Sequence, residues 1–199
     1  MTNEPLPGKE LKLLVPFTQG YARRLTASEI ARALSQPQKT VSRKLNSFCT
    51  AHLLNYTREG RLKQYYFDLN DGLAAHLLAM VEHGKAIGFS LRNPPIALML
   101  NDIARELPVI LFGSHAKGSA TEGSDIDLLV LGRKSAKIKK VIGRYPFETV
   151  PHYSRLDIFR KQLNEGSALA REIAQNHIIF GYGEGFLQVL VDYFKNRGG

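Results

Sequence analysis

Gly113-Ser114-His115-Ala116-Lys117-Gly118-Ser119-Ala120-Thr121-Glu122-Gly123-Ser124-Asp125-Ile126-Asp127 lies between two apolar runs. Pro108-Val109-Ile110-Leu111-Phe112 precedes it and Leu128-Leu129-Val130-Leu131 follows it. A Gly-Ser pair leaves one buried strand, and ten residues later an Asp-x-Asp pair enters the next. Alternate side chains of a strand share a face, so Asp125 and Asp127 project together while Ile126 and Leu128 point the other way. Two adjacent carboxylates repel each other unless a cation neutralises them. Mg²⁺ is held through one or two carboxylates plus substrate phosphates. Gly113 lets the backbone turn sharply and approach a ligand closely. The N–H groups of Gly113 and Ser114, with the Ser114 hydroxyl, suit phosphate oxygens. Lys117 offers a point charge to the same phosphates. His115 reads as a loop residue rather than a catalytic base.

The segment resembles the nucleotidyltransferase superfamily that includes DNA polymerase β, and most closely its small prokaryotic members, whose signature is GS, ten residues, then DxD. The resemblance spans about residues 108–190. It implies transfer of a nucleoside monophosphate from a nucleoside triphosphate, with ATP the expected donor, to a hydroxyl acceptor that the sequence does not name. It also implies that Gly113, Ser114 and Lys117 hold the nucleotide phosphates, and that Asp125 and Asp127 hold Mg²⁺ or Mn²⁺. The family's third carboxylate has two candidates here. Asp157 follows Ser154 at capping-box spacing and so has a structural task. Glu148 lies in the run Phe147-Glu148-Thr149-Val150, read as a third strand over 146–150, and is the favoured catalytic partner.

Net charge is +9 and is unevenly spread. Residues 1–70 hold eleven Lys/Arg against five Asp/Glu, residues 71–107 three against four, and residues 108–199 thirteen against nine. A basic N-terminal third suggests a polyanionic partner. Thr26-Ala27-Ser28-Glu29 is a capping-box pattern opening a short helix. After the turn Ser35-Gln36-Pro37, with Pro37 at the first helical position, Val41, Leu45 and Phe48 mark the inner face of a second helix. Gln38, Lys39, Ser42, Arg43 and Asn46 mark its outer face. Two strands, 53–57 and 64–68, flank a turn at 58–61, and the hairpin carries Arg58, Arg61 and Lys63. Helix, turn, helix and basic hairpin resemble the winged helix-turn-helix of prokaryotic regulators. That resemblance implies DNA contacts by those eight residues.

The expected fold is therefore α+β: a winged helix-turn-helix at 9–70, a helical connector at 71–107 with a face suited to homodimerisation, and an α/β nucleotidyltransferase domain with a small mixed sheet at 108–199. A basic helix is expected over 134–144, helices over 156–164 and 167–179, and a last one near 184–196. Residues 1–8 read as a frayed terminus and 9–25 as a first helix. The single cysteine, Cys49, excludes an internal disulfide and leaves no Cys cluster for zinc. The six histidines show no metal-ligand spacing. No apolar stretch reaches membrane-span length, so the expected setting is cytoplasmic, without a membrane partner. Two other classes of function fit the pattern: a DNA-binding regulator whose nucleotidyltransferase fold senses nucleotide, and an antitoxin-like protein paired with a small toxin-like partner.

Overall fold

The computed structural model describes residues 10–197, so the expected frayed terminus at 1–8 lies outside the described residues. The chain divides into two compact units, one of residues 1–84 with 191–199 and one of residues 85–190. No described helix is long and apolar enough to cross a membrane.

The first unit opens with a 3-10 helix, Leu11–Gln19, where an ordinary first helix was expected. A two-residue strand β1 (Leu25–Thr26) leads into α1 (Ala27–Ala33). The Thr26–Glu29 capping box forms in full. The Thr26 hydroxyl accepts from the Glu29 N–H, and a Glu29 carboxylate oxygen accepts from the Thr26 N–H at 2.7 Å. α2 (Gln38–Thr50) begins one residue later than its proline suggested, because Pro37 is extended and serves as the N-cap. Val41, Leu45 and Phe48 are buried, as their spacing requires.

β2 (Asn55–Glu59) and β3 (Leu62–Tyr66) form an antiparallel hairpin whose tip is Gly60-Arg61. Both strands are shifted by two residues from the expected spans. The reason is that Gly60, with φ +59°, sets a two-residue turn. β1 adds to the far side of β3, giving the order β1-β3-β2. Phe17 and Phe67 meet edge to face at 5.4 Å in this core.

Residues 71–107 are helical, as α3 (Gly72–Arg92) and α4 (Pro94–Ala104). The boundary between the units falls within α3. α4 is not a bare link: Ala97, Met99, Leu100 and Ile103 are buried in the core of the second unit.

That core surrounds a mixed sheet of β4 (Val109–Phe112), β5 (Ile126–Leu131), β6 (Thr149–Ser154) and β7 (Ile178–Phe180), in the order β6-β5-β4-β7. β5 and β6 are parallel and the other pairs antiparallel. α5 (Gly113–Lys117) and α6 (Ala136–Ile142) lie between the strands in sequence. α7 (Leu156–Asn164), α8 (Ala168–Gln175) and α9 (Glu184–Lys195) follow β6. Ile126, Leu128 and Val130 face the α4 and α6 side. Ile110, Leu129 and Ile179 are buried on the other face.

Three expectations are corrected here. The helix read over 167–179 stops at Gln175, and Ile178-Ile179-Phe180 becomes β7, paired with β4. A short apolar run does not declare its state without a partner strand. The third strand begins at Thr149 rather than 146, because Tyr145 and Phe147 turn to pack against the core. The capping box at Ser154–Asp157 does not form. Arg155 is the N-cap of α7, and Asp157 pairs with its guanidinium at 3.1 Å.

Candidate active site

β4 is buried along its whole length and ends at Phe112, which pairs with Asp127 of β5. The next residue, Gly113, has φ +69°, a left-handed conformation that L side chains rarely adopt. A Cβ on Gly113 would stand 3.1 Å from Asp127 Cγ. Glycine is thus required twice, by the turn and by the approach of a carboxylate. Ser114 follows in the first turn of α5, half-buried. Gly118, left-handed at φ +73°, ends that helix.

The connection back to β5 is held at both ends. His115 Nε2–H donates to the Ser124 carbonyl at 3.2 Å, and the Ser124 hydroxyl accepts from the Thr121 N–H at 2.9 Å. His115 therefore belongs to a short helix, not a loop, and its ring anchors the segment that delivers Asp125.

Asp127 is half-buried and Asp125 exposed. Burial is the main cause that lifts the Asp127 carboxyl above the ordinary carboxylate range. His152 and His115 oppose the shift, while Asp125 and Glu172 add to it. The carboxylate pair thus carries an uncompensated cost that a cation would relieve. Two carboxylates beside a Gly-Ser turn are a donor set that suits Mg²⁺, which takes one or two carboxylates plus substrate phosphates. Among the described residues, no three His, Cys, Asp or Glu side chains converge as a metal cage.

Lys117 ends α5 and forms an ion pair with Glu172 of α8 at 2.6 Å, both side chains about 40% exposed. Glu148 is exposed and sits one residue before β6, where its backbone carbonyl accepts from the Ile126 N–H at 2.9 Å. That bond sets Glu148 against the start of the strand that carries the carboxylate pair. The parallel register places Val150 beside Asp127 and His152 beside Leu129, so His152 shares the Asp127 face. Its ring lies 5.7 Å from that of Phe112. Sequence reasoning missed His152 and Glu172. Register would have pointed to the first; nothing local marks the second, which lies 55 positions from its Lys117 partner.

In the first unit, Gln38, Lys39 and Arg43 are exposed on α2, and Arg58 and Arg61 are exposed on the hairpin. Ser42 and Asn46 are half-buried. Asn46 Oδ1 accepts from Lys63 Nζ at 2.9 Å and from the Tyr65 hydroxyl at 3.1 Å. Lys63 also sits 4.2 Å over the Tyr56 ring. The structure thus brings Asn46 and Lys63 together, but facing each other.

A buried strand, a glycine turn into a short helix, and a second strand bearing Asp-x-Asp against that turn form one continuous segment of this α/β unit. Residues 100–180 match the family described as the nucleotidyltransferase domain, in keeping with the polymerase-β-type resemblance. No curated protein and no solved structure matches the chain.

Proposed function

We propose that the chain is a metal-dependent transferase that moves a nucleoside monophosphate from a nucleoside triphosphate to a hydroxyl acceptor. The observation that carries this reading is the packing of Gly113 against Asp127, which sets the Gly-Ser turn beside the carboxylate pair. In this reading the Gly113 and Ser114 N–H groups and the Ser114 hydroxyl hold triphosphate oxygens. Lys117 joins them once it leaves Glu172. Asp125 and Asp127 are the residues that would hold Mg²⁺ or Mn²⁺, which when bound neutralises charge on the phosphates. Such transfers depend on positioning and charge neutralisation more than on covalent chemistry. Asp125 is exposed, so in this reading the acceptor approaches the carboxylate pair from solvent.

We propose further that the first unit is a winged helix-turn-helix that binds duplex DNA. Gln38, Lys39, Ser42 and Arg43 of α2 would enter the major groove, and Arg58 and Arg61 would reach the adjacent backbone. Asn46 and Lys63, expected as direct contacts, instead join α2 to the hairpin in this reading.

One observation favours a second reading, a DNA-binding regulator or antitoxin-like protein that senses nucleotide without turning it over. No group of three His, Cys, Asp or Glu side chains forms a metal cage among the described residues. Incubation with each labelled NTP and Mg²⁺, followed by assays for pyrophosphate and for labelled acceptor in extract, separates the two. Pyrophosphate release with a labelled product supports transfer. Tight NTP binding without either supports sensing.

A further inference from the structure

The cations of residues 133–144 take no part in the site described above. α6 turns Ile138 and Val141 inward among Ile126, Leu128 and Val130. Those strand residues alternate with Asp127, so α6 and the carboxylate pair lie on opposite faces of the sheet. That placement removes triphosphate steering as the reason for the basic helix.

The outer side of α6 borders a groove of about 290 Å³ against α4, lined by Asp102, Arg105, Glu106, Lys137, Lys140 and Arg144. Its acids are already engaged. Asp102 accepts from the Tyr145 hydroxyl at 2.6 Å and pairs with Arg105 at 3.0 Å, and Glu106 pairs with Lys137 at 2.6 Å. Lys140 and Arg144 are exposed and have no carboxylate partner among the described residues. The same holds for Arg133, Lys134 and Lys139.

We infer that this groove docks the phosphodiester backbone of a nucleic acid. Lys137 and Lys140 lie one turn apart on α6 and Arg144 follows in the turn just past its end, so the three cations succeed one another along one groove. A stripe of cations suits a chain of phosphates, whereas one small anion would need converging groups. Lys137 is already paired with Glu106, but the unpaired and exposed Lys140 and Arg144 can neutralise phosphates with release of counterions, which gives binding a steep salt dependence. The internal pairing of Asp102 and Glu106 keeps their charge from opposing that contact. The surface belongs to the second unit and does not depend on the activity proposed above.

The test uses the full chain and fluorescence anisotropy with labelled single-stranded RNA and labelled duplex DNA over a salt series. Lys140→Gln with Arg144→Gln is expected to weaken binding about tenfold. It should lower the salt slope by nearly two, at about 0.7–0.9 per phosphate contact. Melting temperature and NTP binding serve as controls. Should that variant melt early, Lys140→Gln alone and Arg144→Gln alone, each exposed, report on the same groove. Loss with either probe supports the inference and names the nucleic acid. Unchanged affinity and slope with both probes overturn it and leave the face to an acidic protein surface.

Discussion

Lys117 holds Glu172 at 2.6 Å, so the cation at the end of the helix that the Gly-Ser turn opens already faces a carboxylate. Glu172 also acts on Asp127. A triphosphate entering the turn would compete with Glu172 for Lys117. Glu172→Gln should therefore tighten NTP binding severalfold, and the gain should vanish in a Lys117→Ala background. Calorimetry on the four proteins checks this. A gain that persists without Lys117 would show that the pair is not the competitor. The stability cost should be small, about 0.2–1 kcal/mol, because both side chains are substantially exposed.

Gly113→Ala places a methyl group against the Asp127 carboxylate and forces a left-handed alanine. Strain of this kind costs about 1–3 kcal/mol. Urea unfolding should show a loss in that range or above. NTP binding should fall with it, since the turn and the carboxylate cannot both keep their places.

Asp125→Ala with Asp127→Ala should abolish metal-dependent NTP binding and leave the fold intact. Calorimetry with and without Mg²⁺ measures the first, and circular dichroism the second. Asp157→Asn, whose carboxylate is paired with Arg155, should keep NTP binding and transfer, whereas Glu148→Gln, beside the start of β5, should keep NTP binding but lose transfer if Glu148 serves the acceptor. Transfer lost in Asp157→Asn instead would mean that the acceptor brings that carboxylate into play.

On the first unit the expected effects split by position. Arg43→Ala, exposed on α2, should weaken duplex DNA binding by about 1–3 kcal/mol if it reads a base. Asn46→Ala should chiefly lower the melting temperature, because it removes the shared acceptor of Lys63 and Tyr65. Gel retardation and thermal melts on the same preparations give the two readouts. Arg43→Ala with unaltered retardation would take DNA away from α2.

The capping box gives a pH dependence. Glu29 sits below the ordinary carboxylate range because the Thr26 N–H and hydroxyl bond it. A depressed folded pKa adds stability above the unfolded value, near about 4.3, and that stability is lost as pH falls through the folded pKa. Thr26→Ala should cost about 1 kcal/mol at neutral pH. Denaturation midpoints should show the gap between the two proteins narrowing below about pH 4 as Glu29 protonates in both.

The site was legible where chemistry and local geometry coincide. Gly113, Ser114, Asp125 and Asp127 stand within one strand–turn–strand unit, and strand alternation alone assigns their faces. The positions of Glu148 and His152 depend on where β6 begins and how it registers with β5, which the turn at 143–147 decides through packing. The bond of Tyr145 to Asp102 joins residues 43 positions apart, and no local pattern announces it. The same holds for β7, a three-residue strand that exists because β4 offers it an edge. In the first unit the capping box and the spacing of Val41, Leu45 and Phe48 suffice for the helices, while a two-residue turn moved both strands.

The bond from His115 to the Ser124 carbonyl makes the stretch between them behave as a ruler. With one end fixed to α5 and the other folded into the 121–124 turn, the position of Asp125 is set by how many residues intervene more than by which they are. Substitutions at exposed Ser119 or Glu122 should pass unnoticed, whereas removing or adding one residue there would slide Asp125 and Asp127 out of phase with Gly113. For anyone searching genomes for related chains, the gap length is the better filter than the letters within it.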